Sequence, residues 1–318
     1  MKLRPFRLSM LGLGLLIPAA LCAVVLFLLI YSAPAIHFSG IGFLTNINWN
    51  FGDFDDDPVL TRGMMVPGGA SYGILVFIAG TLLSSFIAIL IAVPLSVGAA
   101  ICLAEAVPVL ERNLPAWAPP LRPALSMLVE LVAVVPSIVF GLWGIWVLIP
   151  LIGHYLSPTG NGYGLLAASV VLALMITPII ATTLLDALMQ VPKENRESAF
   201  ALGATHFEVV SKAMMPMVRA TLIGGIVLAL GRALGETMAV AMVSGGGFNI
   251  LPTSIFSPIS SIASFIVNNL DSAEGDPTNM AVRAIAEVAL VLFLITLTVN
   301  AIAKILSSGA FHVRKRQH

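Results

Sequence analysis

The chain has 318 residues, 58% of them hydrophobic and only 10% charged, with a mean hydropathy of +0.99. Soluble globular chains carry about 25% charged residues, so an ordinary water-soluble enzyme is excluded. The 16 Lys+Arg balance 16 Asp+Glu, which leaves no basic excess for nucleic acid, and two cysteines, Cys22 and Cys102, make neither a disulfide scaffold nor a cysteine-rich metal site.

A helix that crosses a bilayer needs roughly 20 mostly apolar residues, because about 30 Å of hydrocarbon is covered at about 1.5 Å per residue. Asp, Glu, Lys and Arg are absent from 8–52, 63–104, 131–185, 237–270 and 288–303. Six spans are predicted near 11–33, 74–104, 124–152, 163–190, 218–244 and 281–306. The first run is longer than the apolar region of about 7–15 residues in a secretory signal, and reads as an uncleaved span. The block 131–185 holds two spans, divided by the turn-forming stretch HYLSPTGNG at 154–162. Pro94, Pro136 and Pro178 fall within spans and predict bends, since each removes one backbone hydrogen bond. Segment 253–270 predicts a short amphipathic helix on the outer surface. The expected fold class is all-α, a single polytopic membrane domain over 1–318.

Orientation follows from the cations. Lys2, Arg4 and Arg7 precede the first span, and Arg112 and Arg122 lie between the second and third. Lys193, Arg196, Lys212 and Arg219 lie between the fourth and fifth, and Lys304, Arg314, Lys315 and Arg316 lie at the end. The opposite loops carry Arg62 beside Asp53, Asp55, Asp56, Asp57, Asp271, Glu274 and Asp276. The positive-inside rule then puts both termini and the 105–123 and 191–217 loops in the cytoplasm, with the chain in the cell (inner) membrane.

Some charges fall inside the predicted spans. An ionised side chain at a span's centre costs about 2.5–3.5 kcal/mol on insertion scales, and such residues usually face a bundle interior or a water path. Arg232 and Glu236 stand at i and i+4 in LALGRALGETMAVAMVSG and would emerge on one helix face. If the chain is helical from Arg219, the rise to Arg232 is about 20 Å, past the membrane midplane. Glu130 lies near the inner end of the third span, and Glu287 in the sixth, with Arg283 four residues before it. These residues either line a transport path or act as glue between helices. Arginine suits an anionic solute, because its guanidinium stays charged and pairs with oxyanions through two donors.

The inner loop 191–217 reads VPKENRESAFALGATHFEVVSKAMMPM. Its apolar spacing predicts a short helix, a break at Gly203 and a second helix leading to Pro216. On periodicity alone this is either a cap on the bundle or a docking element. The five lysines lack the Gly-Lys-Ser/Thr context of a phosphate loop, so any ATP-driven work falls to another polypeptide.

Glu197-Ser198-Ala199, Gly203 and Pro216 resemble the coupling motif of ABC-importer permeases, E-A-A-x3-G-x9-I-x-L-P, with Ser198, Ala213 and Met215 as departures. In that family the short helix docks into a groove on the ATPase. Gly80–Pro94, the stretch ELVAVVPSIVFGLWG from Glu130 to Gly144, and GRALGETMAV from Gly231 to Val240 further resemble phosphate ABC-importer permeases of the PstC type, from about residue 70 onward. The resemblance implies the type I ABC importer permease fold. It implies a homologous PstA-type permease partner, a PstB-type ATPase dimer carrying ATP and Mg, and a PstS-type phosphate-binding protein outside. It also implies that this chain binds no cofactor itself, and that Arg232 and Glu236 act in phosphate passage. A basic residue at Arg283 departs from the pattern. The nearest competitor is a permease for another oxyanion or small solute, and a more distant one is an ion-driven secondary transporter.

Overall fold

The structure, a computed structural model, describes residues 3–112 and 120–312. Six of its helical segments are long and apolar enough to cross a membrane: Met10–Ser39, Leu75–Glu111, Ser137–Tyr155, Leu165–Met189, His206–Gly235 and Met280–Ile305. The chain divides into two compact units, one of Met1–Val76 with Phe265–Leu294, the other of Phe77–Ser264 with Ile295–His318.

The first unit begins with α1 (Leu3–Ser39), followed by the single turn α2 (Gly42–Thr45). Between Trp49 and Tyr72 lie four short strands, β1 (Trp49–Asn50), β2 (Val59–Thr61), β3 (Met64–Val66) and β4 (Ser71–Tyr72), where no strand was expected. They pair antiparallel, Trp49 opposite Tyr72 and Leu60 opposite Met65. Trp49 is fully buried, with ring centroids 4.7 Å from Phe265, 5.1 Å from Tyr72 and 5.8 Å from Phe51. Edge-on and tilted packing of this kind suits the negative ring faces and positive ring edges, and it gives this small stranded segment its own apolar centre. Burial, and secondarily the charge of Asp276, raise the Tyr72 hydroxyl's pKa above its ordinary value. Asp276 also organises the entry to the last helix. Its carboxylate accepts from the Thr278 amide and hydroxyl at 2.7 Å each and from the Ala281 amide at 2.8 Å, satisfying donors that a helix start leaves open.

The second unit is helical: α3 (Leu75–Ile101, all but its first two residues), α4 (Val107–Arg112), α5 (Leu121–Val134), α6 (Ser137–Trp143), α7 (Ile149–Tyr155), α8 (Leu165–Met189), α9 (Lys193–Ala201), α10 (His206–Glu208), α11 (Met215–Gly235) and α12 (Met238–Val243). Helix α13 (Ile262–Glu274) lies largely in the first unit, and α14 (Met280–His312) has its first half there and its second half here. Single π-helical turns at Cys102–Ala106, Gly144–Leu148 and Val209–Met214 widen three of these helices.

Helix α8 is the hub, packing against α11, α5 and α12. Val171, Leu172, Met175, Ile176 and Ile180 are buried in it against Ala229, Ala233, Val240 and Val243. Its hydroxyls are satisfied locally, Thr177 donating to the Ala173 carbonyl at 2.7 Å and Thr183 to Ile179 at 2.7 Å, as polar groups in hydrocarbon require. Ser96 of α3 donates to the Thr177 carbonyl at 2.9 Å. Gly80 admits a close approach: a Cβ there would stand 2.3 Å from the Ser260 carbonyl oxygen. Helix α1 is the opposite of α8. Ile17, Leu16 and Phe27 are 75%, 62% and 63% exposed, a surface suited to lipid.

Two predicted spans differ from their expectation. The third, expected over 124–152, is interrupted where Val135 and Pro136 adopt extended backbone, because proline disfavours a helical residue before it. The fifth, expected over 218–244, ends at Gly235 and restarts at Met238. Segment 253–270 is helical from Ile262. Indoles favour membrane interfaces, yet Trp49 is a core residue; Trp117 lies outside the described residues.

Candidate functional site

The 191–217 loop has the predicted form. Helix α9 follows Pro192, the chain turns at Gly203 with φ +83°, and α10 begins three residues later. Glycine reaches that left-handed backbone without the strain a side chain would bring. Thr205 and Glu208 close a capping box, each side chain accepting from the other's amide, and Lys212 adds an ion pair to Glu208 at 2.8 Å. Beneath them Val209, Val210 and Met214 pack with Leu184, Leu185 and Leu188 of α8 and Leu103 of the π-helical turn after α3. The loop is thus bolted to three spans.

Its other face is bare. Glu197, Ser198, Gly203 and Pro216 are exposed and Ala199 is half-buried. Leu202 is 89% and Phe207 79% exposed, and Phe200 meets the His206 ring edge-on at 4.8 Å. Leu202 and Phe207, which belong to the apolar spacing that predicts the two short helices, thus form an exposed apolar tip. Arg196 of α9 is ion-paired with Glu105 of the Cys102–Ala106 turn, a partnership across 91 positions that no local pattern signals.

The residues predicted within the spans do not form one cluster. Arg232 and Glu236 do not share a helix face. Arg232 occupies the last turn of α11, while Glu236 has extended backbone (φ −69°, ψ 128°) and its carboxylate accepts from the Ala239 amide at 3.2 Å. The carboxylate meets an open donor at the start of α12, which is why the helix stops instead of carrying the pair onward. Glu130 is exposed on α5. Glu287 lies in the first half of α14, 5% exposed, with one carboxylate oxygen unpartnered.

Arg232 opens into a cavity of about 870 Å³ lined by Ile179, Gly224, Val227, Leu228, Gly231, Thr296 and Asn300 besides itself. No acid among the described residues pairs with its guanidinium. Gly224, Val227, Leu228 and Gly231 follow a spacing of three and four along α11, and Thr296 and Asn300 are four apart on α14, so each helix turns one face to the space. The Asn300 carbonyl oxygen is buried without a hydrogen-bond partner, a state that costs about 1–3 kcal/mol. Sequence reasoning missed Thr296 and Asn300 because it searched the spans for charge, and neutral polar side chains leave no trace in such a count. The wall offers a fixed positive charge, an amide and a hydroxyl among apolar groups, a set that attracts an anion and repels a cation.

Residues 116–311 match the family described as binding-protein-dependent transport system inner membrane component. The chain is 43% identical over 312 residues to phosphate transport system permease protein PstC 1 of Mycobacterium tuberculosis, covering 92% of this chain and 89% of that one. It is 39% identical over 285 residues to phosphate transport system permease protein PstC of Pasteurella multocida, covering 84% and 79%. Among solved structures it is similar to inward-facing MetNI methionine ABC transporter, with a TM-score of 0.52 at 20% identity over 75% of this chain and 94% of that one.

Proposed function

The chain belongs to the family of binding-protein-dependent transport system inner membrane components, and from that premise we propose that it passes inorganic phosphate into the cytoplasm as the transmembrane permease subunit of an ATP-driven ABC importer. It is a multi-pass membrane protein with the type I ABC importer permease fold. The carrying observation is Arg232: a guanidinium without an acid partner among the described residues, about 25 Å along α11 from Met215 at about 1.5 Å per residue, facing a cavity in a chain whose curated relatives are named for phosphate transport. A charge held there is useful when a negative solute arrives to meet it.

Glu236 holds the start of α12 and so fixes the backbone that follows Arg232. Glu130 and Glu287 lie on the path at other stages of transport, when the bundle opens to one side and then the other. The exposed tip made by Leu202 and Phe207, with Glu197, Ser198, Ala199, Gly203 and Pro216 around it, docks on an ATPase dimer of PstB type. Closure of that dimer then moves α8 and α11 through the core under the loop. A second permease of PstA type completes the pathway, and a phosphate-binding protein of PstS type delivers the solute outside. Both termini lie in the cytoplasm with the loop. ATP and Mg act on the ATPase, and this chain binds no cofactor.

The test replaces Arg232 by Gln in the complete transporter and follows uptake of labelled phosphate, with assembly checked by co-purification. Hydrogen bonds to charged groups contribute about 1.5–3 kcal/mol, so uptake is expected to fall about 10- to 100-fold. Uptake at the parental rate by an assembled complex removes Arg232 from the path.

A further inference from the structure

We propose that Asn300, with Thr296 beside it, is a solute-positioning residue that holds the phosphate against Arg232 from the facing helix. The proposal rests on the permease reading above and adds to it the second wall of the site.

Three observations converge. Asn300 and Thr296 stand one helical turn apart on α14 and line the same cavity as Arg232, so a solute drawn to the guanidinium meets both. The amide makes no hydrogen bond to the described protein, and its carbonyl oxygen is buried and unmet. The threonine hydroxyls of α8 are satisfied within their own helix, whereas the Asn300 oxygen joins Ser32, Ser39, Ser85 and Glu287 among the buried span atoms without a partner, and of these only Asn300 lines the Arg232 cavity, where a solute can supply one. Packing does not explain it. The amide lies against Gly231, where even an added Cβ would stand at ordinary contact distance, 3.6 Å from the nitrogen, and an apolar residue of similar volume would fill the place without the desolvation penalty.

The chemistry of an amide fits the proposed solute. Its NH2 donates to a charged oxygen, and its carbonyl accepts from a protonated one. Phosphate carries both kinds at neutral pH, so an untethered amide can turn to meet either. A fully ionised oxyanion such as sulfate offers acceptors only and leaves the carbonyl unmet. Asn300 thereby assists selection as well as binding.

The experiment uses the complete transporter in proteoliposomes with its binding protein, ATP and labelled inorganic phosphate. It measures phosphate delivered per ATP hydrolysed for Asn300→Leu, the isosteric Asn300→Asp and Asn300→Gln, with Arg232→Gln in parallel. Asn300→Leu is expected to lower delivery about tenfold, in line with a lost hydrogen bond to a charged group, while assembly and ATP hydrolysis persist. Asn300→Asp, which sets a like charge against the solute, is expected to lower it further, and Asn300→Gln to restore part of it. Combining Asn300→Leu with Arg232→Gln is expected to cost less than the product of the two losses, the mark of residues that share a partner. Parental delivery by an assembled Asn300→Leu or Asn300→Asp complex overturns the proposal. If Arg232→Gln still fails in that case, the permease reading stands without it, whereas parental delivery by Arg232→Gln overturns the reading on which both rest.

Discussion

Arg196 and Arg232 are the same side chain in two regions of the same helical unit, and the fold treats them differently. Arg196, in the inner loop, is partnered by Glu105, with side chains 31% and 16% exposed. It joins α9 to the end of the second span and is satisfied within the chain. Arg232, in a span where charge is far more costly, lines a cavity and has no acid partner among the described residues. Adhesion alone would call for an acid partner for the arginine in the span. The difference teaches that the loop arginine holds the chain to itself, while the span arginine is free of such a duty among the described residues and fits the proposed role of meeting a solute.

That contrast can be broken or sharpened by substitution. The largest effect is expected at the loop's bare tip, where Leu202→Asp combined with Phe207→Asp buries two carboxylates in any ATPase interface. Interface anchors cost about 2 kcal/mol or more when lost, so co-purification of the ATPase should fall at least about 30-fold. Retention of the ATPase at the parental level would exclude the tip from coupling. Next comes Arg232→Lys, which preserves the charge and removes the planar fork. Phosphate uptake is expected to drop about tenfold, the equivalent of one charge-assisted hydrogen bond, and full uptake would show that charge alone suffices. The smaller effect is Arg196→Ala, which leaves the half-buried Glu105 unpaired. A loss of about 1 kcal/mol should appear as a melting temperature a few degrees lower, with uptake reduced less than at Arg232. Smallest is Arg196→Lys, expected to match the parent because an ammonium still reaches the carboxylate. If Arg196→Lys proved as damaging as Arg232→Lys, the distinction between the two arginines would be lost.

Much of this architecture was legible in the sequence because it is written in absences and spacings. Long apolar runs marked the six crossings, and Gly203 between two short apolar patterns marked the turn in the 191–217 loop, which the φ of +83° explains. The interruptions were harder to see. Pro136 announced a bend, yet Val135 takes extended backbone as well and the helix breaks outright. Glu236 looked like an i+4 partner for Arg232, since nothing in its neighbourhood foretells that its carboxylate will hold the Ala239 amide and end the helix. The Arg196–Glu105 pair links distant segments, and the Arg232–Asn300 face depends on how α11 and α14 lie together. Such relations come from packing, which period and composition do not encode.

The threonine hydroxyls of α8 carry a last consequence. Thr177, Thr182 and Thr183 each donate to a carbonyl of their own helix, and the α8 residue that borders the Arg232 cavity is the aliphatic Ile179. On the proposed reading, a solute would be gripped from two sides and merely brushed on the third. Permeation requires release as much as capture, and a smooth flank lets a modest shift of α11 or α14 turn a foothold into an exit.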